Sequence, residues 1–238
     1  MQRLGMLTPS SNTVLEPVSA ELLRGLPGVS LHFARFRVTE IALDSAALGQ
    51  FDPEPMLAAA ELLSHAKVDC ITWNGTSASW LGLDTDRRLI DAIERRTGVR
   101  ATTCVLTMAD TLRRHGMSRI ALVTPYTDDV QARIAATLGT EGFRVVSERH
   151  LGIRDNFSFG LVSREALDAM VADVAAERPD AIVVLCTNLA GADQVPAWEA
   201  RHGVPMLDSV ALSLAGALDA CGVDRAALAP KGWLFGKG

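Results

Sequence analysis

The sequence predicts an α/β protein made of two pseudo-symmetric halves, each a mainly parallel sheet covered by helices. Three observations predict it. Short, almost wholly apolar runs such as RLGMLTP (3–9), VDCITW (68–73), RIALVTP (119–125) and DAIVVLC (180–186) read as strands buried on both faces. Segments with helical spacing alternate with these runs, the pattern of parallel strands joined by crossover helices. The chain also repeats itself, with two stretches of its first part aligning in the same order with two stretches of its second.

The elements follow one another without a break in the pattern. The strand at 3–9 is stopped by Pro9, residues 13–25 carry helical spacing, and VSLHFARFRV (29–38) reads as a second strand. A helix over 54–66 feeds the strand at 68–73, and another follows over 84–97. VLTMADTLRRHG (105–116) is a helix closed by a glycine, as helix C-termini favour. The strand at 119–125, a helix to 139, the strand FRVVSERH (143–150), a helix from Ser163 to Glu177 and the strand at 180–186 continue the alternation. A last helix runs from Ser209 to Ala220.

In the repeat, LGMLTPSSNTVLEPVSAEL (4–22) lies over IALVTPYTDDVQARIAATL (120–138), with Thr-Pro at both strand ends. EPMLAAAELLSHAKVDCITWNGTS (54–77) lies over EALDAMVADVAAERPDAIVVLCTN (165–188). The expected organisation is an N-terminal half of residues 1–104 plus 207–238, completed by the returning last helix, and a C-terminal half of residues 105–206. Loops after the C-terminal ends of parallel strands line a ligand crevice, so four loops are expected to face one cleft between the halves. The repeat pairs Gly75 with Cys186, Thr76 with Thr187, Ser77 with Asn188, Ser10 with Tyr126 and Asn12 with Asp128. The cleft therefore offers a thiol from one side only.

Bulk properties narrow the classes. Of 238 residues, 48% are hydrophobic and 21% charged, the balance of an ordinary globular protein. With a net charge of −5 and no Lys/Arg run beyond a pair, nucleic acid is not an expected partner. No uninterrupted apolar run reaches membrane-spanning length, and the N-terminus lacks the pattern of a signal peptide. Four scattered cysteines without CxxC or metal-like spacing suggest neither a disulfide framework nor a metal site. A cytoplasmic location is the expectation. No glycine-rich dinucleotide fingerprint and no Walker loop occur, so no cofactor is implied. The five histidines fall away from the cleft loops, which argues against a Ser-His or Cys-His triad.

Cys186 ends a buried strand before a loop. Many free cysteines are only small hydrophobes; the strand-end station opposite Gly75-Thr76-Ser77 makes Cys186 the candidate for chemistry, with loop N–H groups expected to lower its pKa from about 8.5. Cys70, Cys104 and Cys221 read as structural. Gly75, Thr76 and Ser77 bring closely spaced donors suited to a carboxylate or an enolate oxygen. In PSSNT (9–13), Asn12 suits both helix capping and ligand binding. Tyr126, the single tyrosine, stands at the station of Ser10, and Asn156 lies in the polar and aromatic loop GIRDNFSFG.

Two α/β halves with cysteine stations at matching strand ends resemble the aspartate/glutamate racemase superfamily over essentially the whole chain. PSSNT, VTPYTDDV, the Asp155-Asn156 pair and Cys186 resemble the maleate cis–trans isomerase branch, whereas Gly75-Thr76-Ser77 with a single Cys186 resembles arylmalonate decarboxylase. The mixture is also compatible with the branch encoded beside ectoine-utilisation enzymes. The resemblance implies Rossmann-like halves with the active site between them and a small dicarboxylate as partner, and it leaves the oligomeric state open, a homo-oligomer included. It implies Cys186 as the second catalytic cysteine. Thr76, Ser77, Tyr126 and the backbone at Thr187 would be the decarboxylase's oxyanion hole, and Asn12, Tyr126 and Asn156 the isomerase's carboxylate-binding residues. Gly75 replaces the first cysteine of that superfamily.

Carbanion racemisation needs a proton-transfer group on each face, which glycine cannot supply. Decarboxylation needs an oxyanion hole, an apolar pocket and one acid. The expectation is a cofactor-independent lyase acting on a malonate-like dicarboxylate. Its apolar pocket would be formed by Pro9, Leu7, Trp80 and Phe157, with Cys186 as the acid. A cis–trans isomerase or racemase using Cys186, and a non-catalytic carboxylate binder, are the alternatives.

Overall fold

The computed structural model describes residues 1–236. The chain runs β1 (Gln2–Pro9), α1 (Leu15–Leu22), β2 (Val29–Phe36), α2 (Ser45–Gly49), α3 (Pro53–His65), β3 (Cys70–Trp73), α4 (Ala78–Leu81), α5 (Leu83–Thr97), β4 (Ala101–Thr103) and α6 (Cys104–Arg114). It continues with β5 (Arg119–Thr124), α7 (Asp128–Thr140), β6 (Arg144–His150), α8 (Asn156–Phe159), α9 (Arg164–Ala175), β7 (Ala181–Val184), α10 (Val195–His202), β8 (Met206–Asp208), α11 (Ser209–Ala220) and α12 (Trp233–Gly236). Among the described residues no helix is long and apolar enough to cross a membrane.

Each half holds one four-stranded parallel sheet, in the order β2-β1-β3-β4 and β6-β5-β7-β8. The apolar runs take the central places: β3, β7 and all of β5 after Arg119 are fully buried. The more polar runs of β2 and β6 take an edge, where they are only half covered. The repeat extends to backbone detail. The two non-glycine residues with positive φ among the described residues, Lys67 (54°) and Arg178 (49°), end α3 and the α9 region at matching places.

The three-residue strands β4 and β8 lay outside the sequence expectation, being too short to show a period. Each delivers a cap: Thr103 Oγ1 accepts from Leu106 N–H at 3.2 Å, and Asp208 accepts from Val210 and Ala211 N–H at 2.8 and 3.1 Å. The capped helices α6 and α11 are repeat mates and pack on each other, with Cys104 Sγ donating to the Ser209 carbonyl at 3.3 Å. Gly216 permits the approach, since a Cβ there would overlap Thr107. Helix α11 also lies on α1, β3 and β4 of the first half.

The loops after the equivalent edge strands β2 and β6 meet across the cleft. Ile41 N–H donates to the Arg154 carbonyl and Asn156 N–H to the Thr39 carbonyl, both at 3.0 Å, flanking an antiparallel bridge between Glu40 and Asp155. Arg154 clamps this ribbon through Glu40 at 2.6 Å and through Asp44. The cleft is thus roofed by a contribution from each half.

Candidate active site

The C-terminal ends of the four central and edge-adjacent strands deliver the site. After β7 the chain turns sharply, Leu189 N–H donating back to the Cys186 carbonyl at 3.3 Å. This turn aims Asn188 N–H at Cys186 Sγ, also at 3.3 Å. The thiol is buried at 3% exposure. Burial dominates its acidity and pushes it up to about 12, although Asn188 N–H and the Tyr126 hydroxyl favour the thiolate. The sequence expectation of a lowered pKa is therefore corrected: near neutral pH Cys186 is a thiol, able to give a proton but poorly able to take one.

After β3, Asn74 is pinned by its amide to the Leu7 and Thr72 carbonyls, both at 2.9 Å. Thr76 and Ser77 follow, and the turn is locked by Ser79 Oγ on the Thr76 carbonyl at 2.6 Å. Thr76 Oγ1 and the Tyr126 hydroxyl share a hydrogen bond of 2.6 Å across the cleft. Tyr126 stands edge-on between Trp80 and Phe159, at centroid distances of 5.3 and 5.6 Å. Burial raises its pKa well above 10, so it too keeps its proton. Thr187 Oγ1 donates to the Asn74 carbonyl at 2.9 Å, tying the two strand-end loops together.

Nine of the sequence-selected residues line one cavity: Pro9, Gly75, Thr76, Ser77, Trp80, Tyr126, Asn156, Cys186 and Thr187. Its volume is about 20 Å3, room for about one water. Three expectations are corrected. Asn12 does not line the cavity: its Oδ1 caps α1 by accepting from Val14 and Leu15 N–H at 3.0 and 2.9 Å, and its amide donates to Thr187 Oγ1 at 3.2 Å. It acts on the site through Thr187. Leu7 is buried inside the sheet opposite Trp73. Phe157, on the first turn of α8, points to solvent at 47% exposure.

The apolar wall comes instead from residues the sequence reading missed: Val38 and Ile41 in the loop after β2, Phe51 before α3, and Trp73. Their signal was faint: Ile41 and Phe51 lie in connections, and Val38 reads as the end of the second strand, which in the structure stops at Phe36. Trp73 is the largest surprise. Its indole folds over Gly75, so that a Cβ built on Gly75 falls inside the ring. The face opposite Cys186 is not vacant; an aromatic ring fills it. Cys70 is buried within β3, and Cys104 is spent on the Ser209 carbonyl.

A family model for arylmalonate decarboxylase matches residues 19–235. The arylmalonate decarboxylase of Bordetella bronchiseptica is 30% identical over 209 residues, covering 87% of this chain and 85% of its own. The maleate isomerase of Nocardia farcinica is 25% identical over 222 residues, covering 88% and 86%. Among solved structures, arylmalonate decarboxylase superposes with a TM-score of 0.80 at 26% identity, covering 99% of this chain and 100% of that one. The maleate isomerase Iso from Pseudomonas putida superposes with a TM-score of 0.89 at 23% identity, covering 99% and 98%.

Proposed function

The chain belongs to the arylmalonate decarboxylase family, and from that premise we propose that it is a cofactor-independent decarboxylase of a small malonate-like dicarboxylate. The observation that carries the reading is a single buried thiol facing three hydroxyls while an indole fills the other face.

One substrate carboxylate takes the hydroxyls of Thr76, Ser77 and Tyr126 and the Thr187 N–H. The other lies against Val38, Ile41, Phe51 and Trp80, where an anion is poorly solvated. Loss of that group as carbon dioxide leaves the bonding electron pair on the α-carbon. The pair delocalises into the retained carboxylate as an enediolate, whose growing charge the hydroxyls stabilise. Cys186 Sγ–H then protonates the α-carbon, the S–H bond breaking as the C–H bond forms, and water returns a proton to the thiolate. One acid on one face yields a product of one handedness.

The isomerase and racemase readings call for a thiolate that attacks a double bond or removes a proton. Burial pushes Cys186 toward its thiol form, which supports the acid's role, and Gly75 under the Trp73 indole supplies no partner base. Proton NMR in heavy water decides. Phenylmalonate or methylmalonate should give carbon dioxide and a monodeuterated monoacid. Fumarate from maleate, or α-deuterium exchange without loss of carbon dioxide, would reject decarboxylation.

A further inference from the structure

The cavity at Cys186, about 20 Å3, is smaller than any dicarboxylate, so the substrate needs further space. Such space lies behind one wall. A pocket of about 370 Å3 opens between α3 and α5, lined by Met56, Leu57, Leu81 and Leu89. It shares Phe51, Trp73 and Ser77 with the Cys186 cavity. Those shared side chains are the partition between the two spaces, and the Trp73 indole is its largest part.

The indole reaches this position only because residue 75 has no side chain. It is held on one flank by Phe36, at a centroid distance of 5.1 Å. Ser77, at the junction, belongs to the proposed oxyanion hole. Because Ser77 lines both spaces, a carboxylate held by its hydroxyl lies next to the partition. The lining behind is apolar, apart from Thr85, the buried Asp86 and, at the rim, the exposed Arg88. Met56, Leu57, Leu81, Leu89 and Ala92 make most of that lining, so an alkyl or aryl group gains burial there.

We infer that Trp73 is the specificity-determining residue of the site, and that the pocket between α3 and α5 receives the uncharged alkyl or aryl α-substituent of the diacid when the indole turns aside. The assignment of the substituent rests on the decarboxylase reading; the continuity of the two spaces does not.

The test uses the full chain with two substitutions, Trp73→Leu to thin the partition and Leu57→Trp to fill the pocket at a half-buried position away from the thiol. The first readout is alkylation of Cys186 at pH 8.5 by N-methylmaleimide and by N-benzylmaleimide, quantified on the Cys186 peptide by mass spectrometry. Trp73→Leu should raise the benzyl-to-methyl rate ratio by about tenfold, and adding Leu57→Trp should cancel the gain. Leu57→Trp alone, which keeps the test decisive where Trp73→Leu fails to fold, should lower the ratio. The second readout is kcat/KM for benzylmalonate relative to methylmalonate, expected to move in the same directions. An alkylation ratio unchanged in Leu57→Trp and in folded Trp73→Leu overturns the inference. If the wild-type chain decarboxylates no malonate, the decarboxylase reading falls, and the alkylation ratio alone decides whether the two spaces join.

Discussion

At Cys186 two influences oppose each other. A backbone N–H and a phenol hydroxyl point at the sulfur, yet removal from water outweighs both and keeps the proton on. A group in that state serves as an acid. Cys186→Ala should lower kcat by about 10²–10⁴-fold, the usual contribution of a general acid, while calorimetry shows an unreactive dicarboxylate still binding. Retained turnover would remove Cys186 from the chemistry. Gly75 makes the complementary point. A thiol at this position would supply the second face that racemisation needs, but the Trp73 indole occupies its place. Gly75→Cys by itself should cost roughly 1–3 kcal/mol by overpacking and give no α-proton exchange, measured by urea unfolding and by NMR. Exchange should require Trp73→Leu in the same chain.

At the scale of elements, function depends on connections more than on strands. The ribbon joining the loops after β2 and β6 carries Val38 and Ile41 on one side and Asn156 on the other, and Arg154 clamps it to Glu40 and Asp44. Arg154 is about half exposed, so its ion pairs contribute at most about 1 kcal/mol to folding. Arg154→Gln should barely change the unfolding midpoint but raise KM by up to about fivefold, the same 1 kcal/mol expressed at the cleft. A large loss of stability with unchanged KM would show that the ribbon is structural only. Asn12 illustrates how a short element redirects a side chain. Once α1 begins at Leu15, its free N–H groups claim the Asn12 carbonyl oxygen, and only the amide remains for Thr187.

For the whole molecule, two buried carboxyls, Asp86 and Asp208, pair with no cation among the described residues. Burial raises Asp86 and Asp208 to about 7 from 3.8. Each binds its proton more tightly folded than unfolded. Their stabilising contribution is complete below about pH 4, declines as pH rises from the unfolded value toward 7, and is gone above that. Asp86→Asn removes one such group, so its advantage over wild type should be larger at pH 8 than at pH 5, by roughly 2–4 kcal/mol. Urea unfolding at the two pH values measures it, and an equal difference at both would show that Asp86 ionises as freely in the fold as outside it. The strand-to-helix order and the repeat were legible because they rest on periodicity, and the matching backbone conformations of Lys67 and Arg178 carry that repeat down to single residues. Strands β4 and β8 were not legible, because three residues carry no period.

The sequence by itself determined the α/β class, the twofold organisation, and the stations of Gly75, Thr76, Ser77, Tyr126 and Cys186. Apolar period sets which segments become buried parallel strands, and the end of such a strand can only open at the sheet's C-terminal edge. Tertiary structure alone decided that Trp73 covers Gly75, that Asn12 caps a helix, that Phe157 faces solvent and that Cys186 keeps its proton. Each of these depends on what other segments leave vacant or shield from water around a side chain, and vacancy and desolvation are properties of the packed volume that no local pattern along the chain encodes.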